Sequence, residues 1–114
     1  MKIGELSRLS GVSIRMLRYY EAEGLLQPTR TGSGYRLYDP AAEQAVKRIR
    51  LLVEGGLTLK TIRQLLPCIR SDHTFEPCSD LRATLNRQIA VLNSRIVALD
   101  KSRRILAGFL DSAR

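Results

Sequence analysis

The chain has one histidine, two cysteines and no tryptophan among its 114 residues. A single histidine, with no nucleophile–base pairing and no glycine-rich phosphate loop, argues against an enzyme. Two cysteines do not make a disulfide framework, and in a cytoplasmic chain they read as reduced thiols. No run of about 18 apolar residues occurs, so no membrane span is expected. Met1-Lys-Ile-Gly-Glu5 lacks the apolar stretch of a signal peptide. The expectation is a cytoplasmic protein of single-domain size, with no membrane partner, no cofactor and no assigned metal ligand.

What is present is positive charge. The formal net charge is +8 and the pI about 10.2, which points to an acidic polymer, nucleic acid first. The sign is spread along the chain: residues 1–66 carry net +5 and residues 67–114 net +3. The arrangement of the charge therefore has to carry the argument.

The stretch from Ser13 to Tyr38 holds all four tyrosines and four of the arginines. Ser13-Ile-Arg-Met-Leu-Arg-Tyr-Tyr20 reads as a short basic helix with Ser13 as its N-cap. It extends to about Glu23, with Met16, Leu17 and Tyr20 inward, and Gly24 ends it. Before it, Ile3, Leu6 and Leu9 share one face of a first helix, and Gly11 stands where a left-handed exit is needed. Helix, glycine turn, helix is the helix-turn-helix pattern. After it, Gln27-Pro28 opens an extended piece, Gly32-Ser-Gly34 turns, and Tyr35-Arg-Leu-Tyr38 alternates like a strand. The hairpin makes a wing beside the helix. Arginine forks suit phosphates and guanine edges, and tyrosine hydroxyls reach phosphate oxygens.

Asp39-Pro40 is a helix start, with aspartate as N-cap and proline at the first position. That third helix runs to about Glu54, with Ala45, Val46, Ile49, Leu52 and Val53 inward, and Gly55-Gly56 stops it. Thr58 caps a fourth, ended by Pro67, with Ile62, Leu65 and Leu66 inward. Residues 67–77 read as an irregular linker. From about Cys78 to about Asp111 the chain reads as one helix, about 34 residues and roughly 50 Å long. Cys78, Leu85, Leu92, Leu99 and Leu106 share one heptad position. Ile89, Ile96 and Leu110 lie on the other, interrupted by Arg82 and Arg103. Such a stripe calls for a second chain in a coiled coil; the alternative is a helix folded back on its own domain.

Taken together, Ile3-Gly-Glu-Leu6, Gly11-Val-Ser13, Arg15-Met-Leu-Arg-Tyr-Tyr-Glu21, Gly24-Leu-Leu26, Gly34-Tyr-Arg-Leu-Tyr-Asp39 and Gly56-Leu-Thr-Leu-Lys-Thr-Ile-Arg-Gln-Leu-Leu66 resemble the MerR family of bacterial transcription regulators. The match covers residues 1–66 in order and spacing. The fold class is then mainly α: an N-terminal winged helix-turn-helix (1–66), a linker (67–77) and a long C-terminal dimerisation helix (78–114). The resemblance implies a homodimer paired through an antiparallel coiled coil. It also implies a palindromic operator in promoter double-stranded DNA that the dimer bends and untwists, with RNA polymerase at the same promoter. Carried over, Ser13, Arg15, Arg18 and Tyr19 would face the major groove or its flanking phosphates. Tyr35, Arg36 and Arg30 of the wing, and Lys60 of the fourth helix, would contact backbone. Tyr20 and Tyr38 fall to packing.

Relatives differ after the DNA-binding region, where drug sensors carry a large ligand domain and metal sensors a cysteine-bearing loop. Neither is expected from the residues that follow the long helix here. Cys78 stands where metal-sensing relatives keep a ligand cysteine, and Cys68, His73 and Cys78 form a Cys-x4-His-x4-Cys spacing that fits no standard zinc signature. Three readings stay open: a thiol-based redox or electrophile sensor at Cys68 and Cys78, a soft-metal site, and simple packing. An architectural DNA-bending protein of the excisionase kind, without a sensor, is the alternative function. The long apolar helix argues against it.

Overall fold

The computed structural model describes residues 1–30, 34–69 and 79–113, with side chains described for all of these except 30, 67–69 and 79. The order of elements is α1 (Ile3–Ser10), α2 (Ile14–Ala22), β1 (Thr29–Arg30), β2 (Arg36–Leu37), α3 (Ala42–Glu54), α4 (Leu59–Ile69) and α5 (Ser79–Ser112). The chain divides into two compact units, Met1–Pro77 and Cys78–Arg114.

In the first unit the turn between α1 and α2 is built by small polar residues. Gly11 takes φ 74°, and its N–H closes on the Ser7 carbonyl. The Ser7 hydroxyl donates to the Val12 carbonyl at 2.7 Å, while Ser10 Oγ accepts from the Val12 N–H at 3.2 Å. The Gly11 bond satisfies a carbonyl that the helix end leaves open, and the two serines satisfy the backbone groups of the turn residue Val12, which lets Ser10 be buried without an unpaired hydroxyl. Ser13 then caps α2, its Oγ accepting from the Met16 N–H at 3.2 Å.

The core beneath is assembled from all four helices of this unit, the α1–α2 turn, the segment after α2 and the residue just past β2. Leu6, Val12, Leu17, Tyr20, Leu25, Leu26, Tyr38, Val46, Ile49 and Ile62 are buried together. Among these, Leu17 and Tyr20 come from α2, three residues apart, so one face of the helix is inward and the opposite face is left to solvent. The wing strands pair antiparallel, with Thr29 opposite Leu37 and Arg30 opposite Arg36. Tyr38 anchors the returning arm. It is 2% exposed, and its backbone N–H donates to the Met1 carbonyl at 2.7 Å.

Several expectations about inward residues are corrected. Met16 is 39% exposed, because it lies about 100° round the helix from Leu17 and misses the core face. Ala45 and Val53 of α3 are also exposed, leaving Val46 and Ile49 as its buried residues. α3 itself begins at Ala42 rather than at Pro40. Asp39 caps the turn that leads in, its Oδ1 accepting from the Ala41 N–H at 2.9 Å and its carbonyl from the Ala42 N–H at 2.8 Å. Pro67 does not end α4, which continues to Ile69. A proline in the last turn forfeits a single intrahelical hydrogen bond, so a helix can run through it there. The turn residues 31–33 lie outside the described residues.

The second unit is α5, 34 residues without interruption. Ile89, Ile96, Val97, Leu99, Ile105, Leu106, Phe109 and Leu110 are half or more exposed along it in the single chain. Asp100 pairs with Arg103 at 2.6 Å and Arg104 at 3.0 Å, on neighbouring helical turns. Among the described residues, no helix is long and apolar enough to cross a membrane.

Candidate nucleic-acid interface

Burial of Leu17 and Tyr20 leaves Arg15, Arg18 and Tyr19 on the outward face of α2, with Tyr19 51% exposed. Neither Arg15 nor Arg18 forms an ion pair among the described residues. Two uncommitted guanidinium forks on one short helix are available to phosphates or to guanine edges. Met16 borders the same surface depression as Arg15, Arg18 and Tyr19. Ser13, at the N-terminal end of α2, is exposed. Its oxygen is used as the cap, and its hydroxyl hydrogen stays free to donate.

On the wing, Tyr35 is 63% exposed and the Lys2 ammonium lies 5.5 Å from its ring centre. This is a cation–π contact that brings a further positive group beside the wing arginines. Arg36 is exposed. Arg30 lies opposite it in the two-stranded ribbon, and the side chain of Arg30 is outside the described set. Lys60 is exposed in the first turn of α4, just past the Thr58 cap, whose Oγ1 accepts from the Thr61 N–H at 3.1 Å.

One carboxylate links α2 to the wing. Glu21 Oε2 accepts from the Tyr38 hydroxyl at 3.0 Å and from Arg36 at 3.3 Å. Burial pushes the Tyr38 hydroxyl above its usual pKa, and the hydrogen bond and charge of Glu21 push the same way; Arg36 and Arg18 partly oppose them. Tyr38 therefore keeps its proton and acts as the donor. Burial also raises Tyr20, against the opposing charge of Arg50.

Lys2 and Glu21 are the two residues of this surface that sequence reasoning passed over. Glu21 stands inside the quoted Arg-Tyr-Tyr-Glu motif, yet nothing local says that it faces the wing. Lys2 is 33 residues from the ring it covers, and only the fold brings them together. Cys78 and His73 lie outside the described residues, and so does the side chain of Cys68, so the Cys-x4-His-x4-Cys reading has no geometry to meet.

A family profile described as MerR HTH family regulatory protein matches residues 1–68, more than half of the chain. The chain belongs to the MerR family. A second profile of the same family, MerR DNA binding, matches residues 44–109. This MerR chain is 37% identical over 107 residues to the HTH-type transcriptional regulator HmrR of Sinorhizobium medicae, covering 93% of itself and 71% of that protein. It is similar to the transcription regulator PbrR691 of Ralstonia metallidurans, solved in complex with lead(II). That match has 33% identity and TM-score 0.73, over 93% of this chain and 82% of that one. A third similar structure is HiNmlR, a MerR family regulator lacking the sensor domain, bound to promoter DNA. It is 26% identical with TM-score 0.65, over 96% of this chain and 86% of that one. The exposed basic helix and wing are thus those of a MerR-type DNA-binding transcription regulator.

Proposed function

We propose that two copies of this MerR regulator pair through α5 and set their winged helices on the two halves of a palindromic promoter operator. Bending and untwisting of that operator, in response to a signal, then control RNA polymerase at the promoter. The observation that carries this reading is the exposure of the apolar α5 stripe together with the uncommitted arginines of α2. Each buried Leu or Ile is worth roughly 1.5–3 kcal/mol, so a second copy of α5 would gain a large free energy by covering the stripe. Two-fold pairing of the chain in turn calls for two-fold symmetry in the DNA.

Within each half, Arg18 and Arg15 would read base edges or flanking phosphates, with Tyr19 and Ser13 donating to phosphate oxygens. Tyr35, Arg36 and Arg30 of the wing, and Lys60 at the start of α4, would grip the backbone on either side. Backbone contacts outnumbering base contacts suits a protein whose output is DNA deformation. The test is a hydroxyl-radical footprint on the promoter, combined with sedimentation of the complex. One protected palindrome per dimer supports the reading, and a phased array of protections would instead favour the architectural alternative.

A further inference from the structure

The carboxylate of Glu21 joins the two elements that carry the DNA-facing groups. It stands on α2 three residues past Arg18, and its side chain is 18% exposed. It accepts the Tyr38 hydroxyl, which is buried, and the Arg36 guanidinium, which is 44% exposed. A neutral acceptor would satisfy the tyrosine alone. The negative charge additionally holds the one wing arginine of β2 in a fixed pose and offsets its charge beside the surface that would meet phosphate.

We propose that Glu21 is a positioning residue for DNA recognition: it fixes Arg36 and the wing against α2, and it weakens the grip on non-specific DNA by holding back one wing charge. The proposal rests on the reading that α2 and the wing face the duplex. A phosphate in the right register competes for Arg36 with Glu21. A mismatched duplex, held mainly by diffuse charge, meets a surface that is one positive charge poorer. Glu21 would thus act on the ratio of specific to non-specific binding more than on operator affinity itself.

Three variants of the full chain separate these roles. They are Glu21→Gln, which keeps the shape and one acceptor oxygen; Glu21→Ala, which removes both contacts; and Tyr38→Phe, which removes only the tyrosine donor. Binding is measured by fluorescence anisotropy on the footprinted promoter duplex and on a random duplex of equal length, across a salt series. Glu21→Gln is expected to tighten the random duplex several-fold and steepen its log K against log salt slope by up to about 0.9 per protomer. Operator affinity should stay within about threefold, so the specificity ratio falls. Glu21→Ala should lose about tenfold on the operator, as the buried hydroxyl and the arginine are both left without a partner. Tyr38→Phe should leave both slopes unchanged.

If Glu21→Gln leaves the random-duplex affinity and slope at wild-type values, the proposal is overturned. The same holds if Gln and Ala lower both affinities alike in step with lost stability, since Glu21 is then only a strut of the fold. Arg18→Ala on the same two duplexes tests the underlying reading separately: unchanged binding there removes α2 from the interface, whatever the Glu21 variants do.

Discussion

Arg50 of α3 donates from Nη1 to the carbonyl of Gly11 at 3.4 Å, and the same atom lies 3.0 Å from where a side chain at residue 11 would begin. The helix-turn-helix corner is thereby tied to α3 through a residue whose left-handed backbone favours glycine. Gly11→Ala is expected to destabilise the protein by about 1–2 kcal/mol through the strained φ, with the flexible end of Arg50 moving aside. Gly4 has open space and no unusual φ, so Gly4→Ala should be neutral or stabilising by up to about 0.5 kcal/mol. Urea unfolding of the two variants checks the contrast, and equal effects would mean that the corner is not held this way.

Met16 and Leu17 are neighbours in sequence with opposite fates. Leu17 is fully buried and Met16 is 39% exposed. Leu17→Ala should cost about 2–5 kcal/mol, in the range of core truncations. Met16→Ala should cost under about 1 kcal/mol. Thermal denaturation of both settles it, and a large loss at Met16 would return that side chain to the core.

Arg18 projects from the outward face of α2 and is without an ion pair among the described residues. Arg18→Ala should weaken operator binding by about 1–3 kcal/mol if it reads a base, with relaxed preference at one position of each half-site. A titration on the footprinted duplex and on single-base variants measures this. Equal loss on every sequence, with a shallower salt slope, would assign Arg18 to phosphate instead.

Leu99 and Ile96 are 69% and 61% exposed on α5 of the single chain. Leu99→Asp is expected to abolish pairing, because a charge at the centre of an apolar seam would be desolvated without a partner. Sedimentation equilibrium should then report a monomer whose helical content remains close to wild type. A surviving dimer would place the interface elsewhere.

The tyrosine shifts give a pH prediction with a definite sign. Burial, and for Tyr38 the adjacent Glu21, hold the hydroxyls of Tyr20 and Tyr38 above the usual tyrosine value of about 10. Below that pH, folded and unfolded chains both keep these protons and stability does not depend on them. Above it the unfolded chain ionises first, binds fewer protons than the native state, and stability falls as pH rises. The slope is at most about 1.4 kcal/mol per pH unit per tyrosine. Chemical denaturation from about pH 8 to about pH 11 should show the fall, and Tyr38→Phe should flatten part of it.

The elements of the winged helix were legible because their signals are local. A glycine with positive φ closes α1, a serine caps α2, and Leu6 and Leu17 fall on the right faces. The long helix was legible for the same reason, since its heptad repeats without proline. Edges were less so. Pro67 passes within α4 because a helix tolerates proline in its last turn, and α3 starts at Ala42 because Asp39 spends its oxygens on a turn first.

By itself, the sequence determined the element order, the basic character of α2, the family, and an apolar stripe along α5. Only the tertiary structure decided which of two adjacent apolar residues, Met16 or Leu17, enters the core. It alone brought Lys2 over Tyr35 and set Glu21 between Arg36 and Tyr38. The physical reason is range. Capping, helical period and glycine conformation act within four residues, whereas a hydrogen bond between residues 17 apart forms only after the core has fixed both backbones.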